Sequence, residues 1–503
     1  MSATTLIKFF PDKKITLVES PDIPTVGVGE STLGFIKYWC AWVGINEVDF
    51  MPHCDATHKF SIRFEDFYRK SSGSFHYPFG SPFTKGNYSG FNDWHFMRLY
   101  NSENTPISDY ADSFYPIMAF VNQNKIPSND DLEGLNFCTD TGYQFDATKF
   151  GLWLKDNCCI SKGINHILSE VKDVVQGDSG IESLVLGDGR KLNGDLFIDC
   201  TGFKSLLLGG ALKEPFESFE DVLPNNSAWA TKIPYRDKES EMSLYTNCCA
   251  IDNGWVWNIP LWSRIGSGYV YSDNHISDEG ALDQFRSHLI GKGHEGDLEY
   301  KNIKMRTGMH NRFWVKNVCA IGLSVGFIEP LESGGLFTTH EFLLALVRIL
   351  DRGYTSRWDK DVFNFICRDK FREFKEFVAL HYALSHRDDT EYWKDNLNRD
   401  YSEKFSNDAL LPSIQGFTSA AHQLFREHKF RQDNGFHCIA TGMHWFPTDM
   451  HSLNYDNCVQ NYDIEGKFLP SFFLMEKRKE EWNRLASGGI NHYEFLKGKY
   501  ENT

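Results

Sequence analysis

Glu19 closes a short apolar stretch, Ile15–Glu19, and Ala3–Phe10 before it has the spacing of an amphipathic helix. Helix, strand, then acid is the second half of a dinucleotide-binding βαβ unit, in which the carboxylate holds a ribose hydroxyl. Gly27 and Gly29 follow in "PTVGVGEST", where backbone can lie close to a ligand. Glu30 and Ser31 come next and can begin a helix through "TLGFIKYWCAWVGI". Asp199 and Gly202, in "DLFIDCTGF", end an apolar strand, and Ile328 lies in a third such segment, "VCAIGLSVGFIEPLESGGL". Three segments returning to one sheet have the layout of a nucleotide-binding α/β protein. Gly334 and Gly335 precede a helix predicted to start near Phe337, and backbone N–H groups there can hold an anion.

The stretch "ATHKFSIRFEDF" alternates, with Lys59, Ser61 and Arg63 on one side and Phe60, Ile62 and Phe64 on the other. It predicts a half-buried strand, on which Lys59 taken alone is a solvated edge charge. Residues 70–135 are rich in Gly, Ser, Asn, Pro and aromatics and predict long loops over a pocket. Asp146 can cap a helix, "GINHIL" reads as a strand, and 171–199 reads as a hairpin layer leading back to the sheet. Residues 226–275 look strand-rich, and the chain from Phe337 onward is mostly helical.

The chain has 503 residues, enough for one large domain or two to three ordinary ones. No repeat or linker divides it, so interleaved modules are expected: cofactor-binding segments at about 1–50, 140–205 and 315–350, a substrate sheet with loops at about 51–139 and 206–314, and a helical region at about 351–503. A net charge of -16 repels a phosphate backbone and argues against nucleic acid. No apolar run approaches membrane-spanning length and no signal-peptide pattern is present, so a cytoplasmic protein is expected. Twelve cysteines and 18 histidines show neither C-x-x-C nor H-E-x-x-H spacing, so neither a disulfide framework nor a metal is expected.

Trp255, Trp257, Ile259 and Pro260, in "WVWNIP", match the W-x-W-x-I-P signature of flavin-dependent halogenases of the tryptophan-halogenase type. Pro330–Ser333 matches the P-L-E-S segment of that family, "HKFSIRF" supplies Lys59 where the family carries its active-site lysine, and "HRDDTEYWKDN" resembles its C-terminal helical region. The resemblance runs from about Ile15 to at least Trp393. It implies an FAD-binding Rossmann-like (flavin monooxygenase-like) α/β fold with a large mixed or antiparallel substrate sheet and a helical C-terminal region. The family's G-x-G-x-x-G, followed by Trp and a helix, falls about where this chain begins, and "MSATTLIKFF" reads as the inside of that helix.

The resemblance further implies that reduced FAD from a separate flavin reductase, with O2 and halide, yields hypohalous acid. Lys59 would then form an N-halo adduct when neutral or polarise the oxidant when charged, Glu332 would orient it and take the ring proton, and Ser333 would assist. Gly334 and Gly335 would hold halide, and Trp255 and Trp257 would gate the passage from flavin to substrate. Glu19, Gly27, Gly29, Glu30, Ser31, Asp199, Gly202 and Ile328 would contact FAD. His76, Tyr77 and Phe79, in "FHYPFG", resemble the family's H-P-F region. Tyr77 precedes Pro78 here, with His76 displaced by one, which weakens the case for free tryptophan and leaves an electron-rich aromatic pocket. The partners implied are a small aromatic substrate and a reductase, and a homo-oligomer is compatible with the sequence. An FAD-dependent aromatic monooxygenase and a degenerate, non-catalytic flavoprotein stay open as alternatives.

Overall fold

The computed structural model describes residues 1–23, 29–83, 94, 98, 105–128, 131–132, 135–401, 433–444 and 469–501; Gly27 lies outside them. Helix Ser2–Phe9 leads into strand Thr16–Glu19, which pairs in parallel with Asn165–Leu168. Parallel neighbours need a crossover between them. Here it includes helix Ala147–Leu154, capped by Asp146, whose carboxylate accepts from the Lys149 N–H. The antiparallel layer Val171–Gly177, Gly180–Leu186 and Lys191–Asn193 then delivers strand Phe197–Asp199 to a parallel pairing with Val318–Ala320. Return of all three segments to one sheet was expected. Among the described residues the two parallel pairs are separate sheets, because no described strand is hydrogen-bonded to both.

The large sheet has seven strands, in the order Lys301–Lys304, Ser227–Ile233, Ile265–Tyr271, Gly254–Pro260, Tyr245–Ile251, Ser61–Glu65 and Ser74–Pro78. Only Tyr245–Ile251 and Ser61–Glu65 run parallel, so the sheet is mixed. Alternation along Gly254–Pro260 sends Trp255, Trp257 and Ile259 into the main core, while Val256 packs with Tyr269, Tyr271 and Phe285 under helix Asp278–Gly291. Burial on both faces explains the near-continuous apolar character of these strands.

Helix Gly334–Leu350 packs on the 27-residue helix Arg357–Ala383, which starts with a reciprocal Ser356–Asp359 capping box. The "HRDDTEYWKDN" segment ties this helical layer to the sheet. Arg387 Nη1 donates to the Ala250 carbonyl at 2.9 Å, Thr390 Oγ1 to that of Asp252 at 2.6 Å, and Trp393 Nε1 to that of Ile251 at 2.8 Å.

Three local expectations are corrected. The stretch around Lys59 is two strands in different sheets, Thr57–Lys59 and Ser61–Glu65, broken where Phe60 bonds to Leu244 and Phe79, and Lys59 and Ser61 are fully buried. Glu30–Ser31 is a strand opposite Phe145 and Gln144, and the helix starts only at Phe35. Within 70–135, the described part includes helices Asp109–Phe114 and Ile117–Gln123, whose Tyr110, Phe114 and Phe120 join the core; aromatic content there serves packing as well as loops.

Candidate active site

Lys59 is 0% exposed. It sits at the end of strand Thr57–Lys59, and its Nζ donates to Ser333 Oγ at 2.9 Å and lies 5.2 Å from the centre of the Phe79 ring. Desolvation lowers its pKa from 10.5 to about 7, against the opposing influence of Cys248 and Glu332. The lone edge lysine of the sequence is therefore an interior amine, and near pH 7 it exists in substantial part as the neutral base.

Glu332 and Ser333 come from the turn Pro330–Glu332 and its junction with helix Gly334–Leu350. Glu332 is fully buried, and burial raises its pKa while His381 and Lys59 pull it down. His381 Nε2 lies 3.0 Å from Glu332 Oε1, and its Nδ1 is 3.2 Å from the Val378 carbonyl, which can only accept; Nδ1 therefore carries a hydrogen and Nε2 is turned to the carboxylate. Ser333 adopts a left-handed backbone, φ +58°, which points its hydroxyl at Lys59. Gly334 has no alternative, since an added Cβ would lie 1.9 Å from the Phe374 ring. At Gly335 the same position is open, and the helix has no side-chain cap over its first N–H groups.

The turn is held from behind by a second acid. Glu329, fully buried, accepts from Trp255 Nε1, from the Tyr382 hydroxyl and, at 2.8 Å, from Asn225 Nδ2. Trp255 thus anchors the segment carrying Glu332. Trp257 lies against Gly268, where a Cβ would meet the indole at 2.2 Å, and its Nε1 is buried without a partner among the described residues. Ile259 packs over Gly29, φ +106°, while the Pro260 carbonyl accepts from Thr57 Oγ1 at 2.6 Å.

Tyr77 and Phe79 lie on the Lys59 side, Tyr77 edge-on to Phe377 and against Gly435, where a Cβ would come within 2.7 Å of its ring. His76 does not join them. Alternation turns it to the other face of the sheet, where it meets Ser61 Oγ at 3.0 Å and Tyr245, and burial lowers its pKa to about 3.

Of the residues expected at FAD, Glu30 and Ser31 lie in the three-stranded sheet that carries Lys59, whereas Glu19 and Asp199 stand at the ends of strands in the two parallel pairs. Glu19 keeps a half-exposed carboxylate that accepts from His166 at 2.9 Å and meets Lys155 at 3.4 Å. Asp199 spends its oxygens on the N–H groups of Thr201, Leu207 and Leu208, shaping the loop that presents Gly202. Gly202, φ +70°, has open space where a side chain would project, and Ile328 is buried in the core. Burial raises Glu30 to about 7. An exposed acceptor for a ribose and open glycine backbone for close approach fit FAD. Ser31 is the exception, since its hydroxyl bonds to Ser333 at 3.1 Å and Thr246 at 2.6 Å. Among the described residues no group of three or more His, Cys, Asp or Glu could hold a metal ion, and no helix is long and apolar enough to cross a membrane.

His381, Glu329, Thr246 and Gln144 were not singled out in the sequence. Only His381 left a trace there, as the one imidazole on the aromatic helix face Phe374–Phe377–His381.

An FAD-binding Rossmann-like fold with a large mixed sheet is the fold of flavin-dependent halogenases, and solved structures of that class superpose on this one. One from Brevundimonas sp. BAL3, BrvH, is 28% identical with a TM-score of 0.83 over 99% of this chain and 96% of that one. A solved apo structure of a protein called VirX1, a name that states no activity, also superposes, 34% identical with a TM-score of 0.91 over 100% of this chain and 97% of that one. The tryptophan halogenase family model matches residues 1–457, and the chain belongs to that family. The tryptophan 6-halogenase SttH of Streptomyces toxytricini is 33% identical over 429 residues, 79% of each chain. The protein is accordingly an FAD-dependent halogenase.

Proposed function

We propose that the protein halogenates a small electron-rich aromatic ring, with reduced FAD from a separate reductase, O2 and halide as its inputs. Bound reduced FAD supplies the two electrons with which O2 and a proton convert halide to hypohalous acid and water. The observation that carries this reading is the buried Lys59 amine beside Glu332. Neutral Lys59 receives the halogen: its N–X bond forms as O–X breaks, and the hydroxide released leaves as water with one amine proton. The ring then attacks the halogen as the N–X bond breaks with its electron pair left on nitrogen. Ionised Glu332 takes the proton lost as the ring regains aromaticity, and that proton replaces the one Lys59 gave up, restoring the neutral amine.

The remaining residues orient and exclude. The uncapped N–H groups at Gly334 and Gly335 suit a halide, whose charge the helix N-terminus favours. Trp255 and Trp257 wall the route to Lys59, and the unspent Trp257 N–H offers a donor along it. Phe79, Tyr77 and Phe377 suit a flat ring, and a phenol, indole or pyrrole meets the chemistry. SttH is named for tryptophan; the Tyr77–Pro78 departure favours a different ring here.

The test is mass spectrometry of products from the protein supplied with FAD, a flavin reductase, NADH, O2, one halide at a time and a panel of electron-rich aromatics. Halogenated products are expected. Oxygenated products in their place would make the protein a monooxygenase.

A further inference from the structure

Behind Lys59 runs an unbroken line of buried hydrogen bonds. Lys59 Nζ donates to Ser333 Oγ at 2.9 Å, Ser333 to Ser31 at 3.1 Å, Ser31 meets Thr246 Oγ1 at 2.6 Å, and Thr246 donates to Gln144 Oε1 at 2.9 Å. Gln144 Nε2 faces Thr57 Oγ1 at 3.3 Å and the His58 carbonyl at 3.4 Å, and Thr57 donates to the Pro260 carbonyl. Ser31, Thr57, Gln144 and Thr246 are all buried.

The direction of this line is fixed from its far end. Carbonyl oxygens only accept, so those of His58 and Pro260 force the Gln144 NH2 towards Thr57 and its oxygen towards Thr246. Thr246 must therefore donate to Gln144 and accept from Ser31, and Ser31 must accept from Ser333. With its proton committed to Ser31, Ser333 has only lone pairs to offer Lys59.

We propose that Thr246 and Gln144 are positioning residues for halogen transfer: by orienting the Ser31 and Ser333 hydroxyls away from Lys59, they make the amine a donor to Ser333 and leave its lone pair free for halogen. This rests on the reading of Lys59 as the halogen acceptor. Without the Thr246 hydroxyl, Ser31 turns to donate to Ser333, and Ser333 donates to the amine, occupying the lone pair that would attack.

The sign of the pH effect separates this from simple loosening. The titratable groups around Lys59 are Cys248 on strand Tyr245–Ile251 and Glu332 on the preceding turn, with His381 and Tyr77 against Glu332. A serine donating to the amine favours its neutral form and moves the Lys59 titration below about 7, whereas water admitted by a loosened site moves it up towards 10.5.

The experiment compares full-length wild type, Thr246→Val, Thr246→Ser and Gln144→Leu, measuring halogenated product against hypohalous acid trapped from solution across a pH series. Thr246→Val and Gln144→Leu are expected to lower kcat on the order of tenfold, with the KM for the aromatic unchanged and the midpoint of the rising limb moved to lower pH, while Thr246→Ser restores both. A Thr246→Val profile equal to wild type, a midpoint moved to higher pH, or failure of Thr246→Ser to restore it would overturn the assignment. Wild type that halogenates no ring while releasing hypohalous acid would instead overturn the role of Lys59 on which it rests.

Discussion

Lys59 Nζ and Ser333 Oγ are 2.9 Å apart in the interior, although 273 residues separate them in the chain beyond the pair itself, 274 positions apart. The bond joins the end of an internal strand to the start of the helix proposed to hold halide, so one serine bridges halide site and amine. Its left-handed backbone is the condition for that placement, and the two effects can be separated. Ser333→Gly relieves the positive φ and should be more stable than Ser333→Ala by about 1 kcal/mol in denaturant unfolding. Both should lose halogenation to a similar extent, because both lack the hydroxyl.

The buried amine carries a signature in stability. Its folded pKa of about 7 lies below the ordinary 10.5, so below pH 7 both states are protonated and the full cost of burying the charge is present. As pH rises from 7 to 10.5 the folded state gives up its proton first. Wild type should gain stability relative to Lys59→Met by about 1.4 kcal/mol per pH unit over that window, with no further gain above it, as read from urea midpoints of the two proteins.

Glu332 depends on its imidazole neighbour. Replacing His381 with Gln removes the group 3.0 Å from the carboxylate that pulls its pKa down. Glu332 should then ionise only at higher pH, moving the limb of the kcat/KM profile that Glu332 governs, distinct from the Lys59 limb, in the alkaline direction. A limb that stays in place would remove His381 from this role.

Much of this site was legible because chemistry-bearing segments carry their own local patterns. The W-x-W-x-I-P strand, the P-L-E-S turn and the lysine segment pointed to residues that the fold brings together. What was not legible is what neighbours across the sequence decide. Alternation around Lys59 implied solvent on one side, yet the break at Phe60 and the second sheet bury both sides. His76 looked like a pocket residue, but strand parity turns it away from Tyr77. Thr246 and Gln144 are polar residues on strands of different sheets, and the line forms only because the register of Thr57–Lys59 against Gly142–Phe145 sets Gln144 opposite Thr57 while Thr246 reaches it from strand Tyr245–Ile251.

The Trp255–Glu329 contact predicts a structural cost with a catalytic consequence. Trp255→Phe keeps the ring but leaves Glu329 one donor short in a fully buried site, which should destabilise the protein by about 1–3 kcal/mol. The turn that carries Glu332 is then less firmly held, so halogenation should fall while flavin oxidation continues. Parallel denaturation curves and product assays check the pair of effects.

Lys59 is the proposed route from oxidant to ring, on which halogenation depends. The measurement that tests it is the yield of halogenated product, by mass spectrometry, alongside flavin oxidation and trapped hypohalous acid, for wild type and Lys59→Ala under the same supply of reduced FAD, O2 and halide. The prediction is that Lys59→Ala oxidises flavin and releases hypohalous acid as wild type does but forms no halogenated ring. Undiminished product from Lys59→Ala, at the same position on the ring, would contradict it.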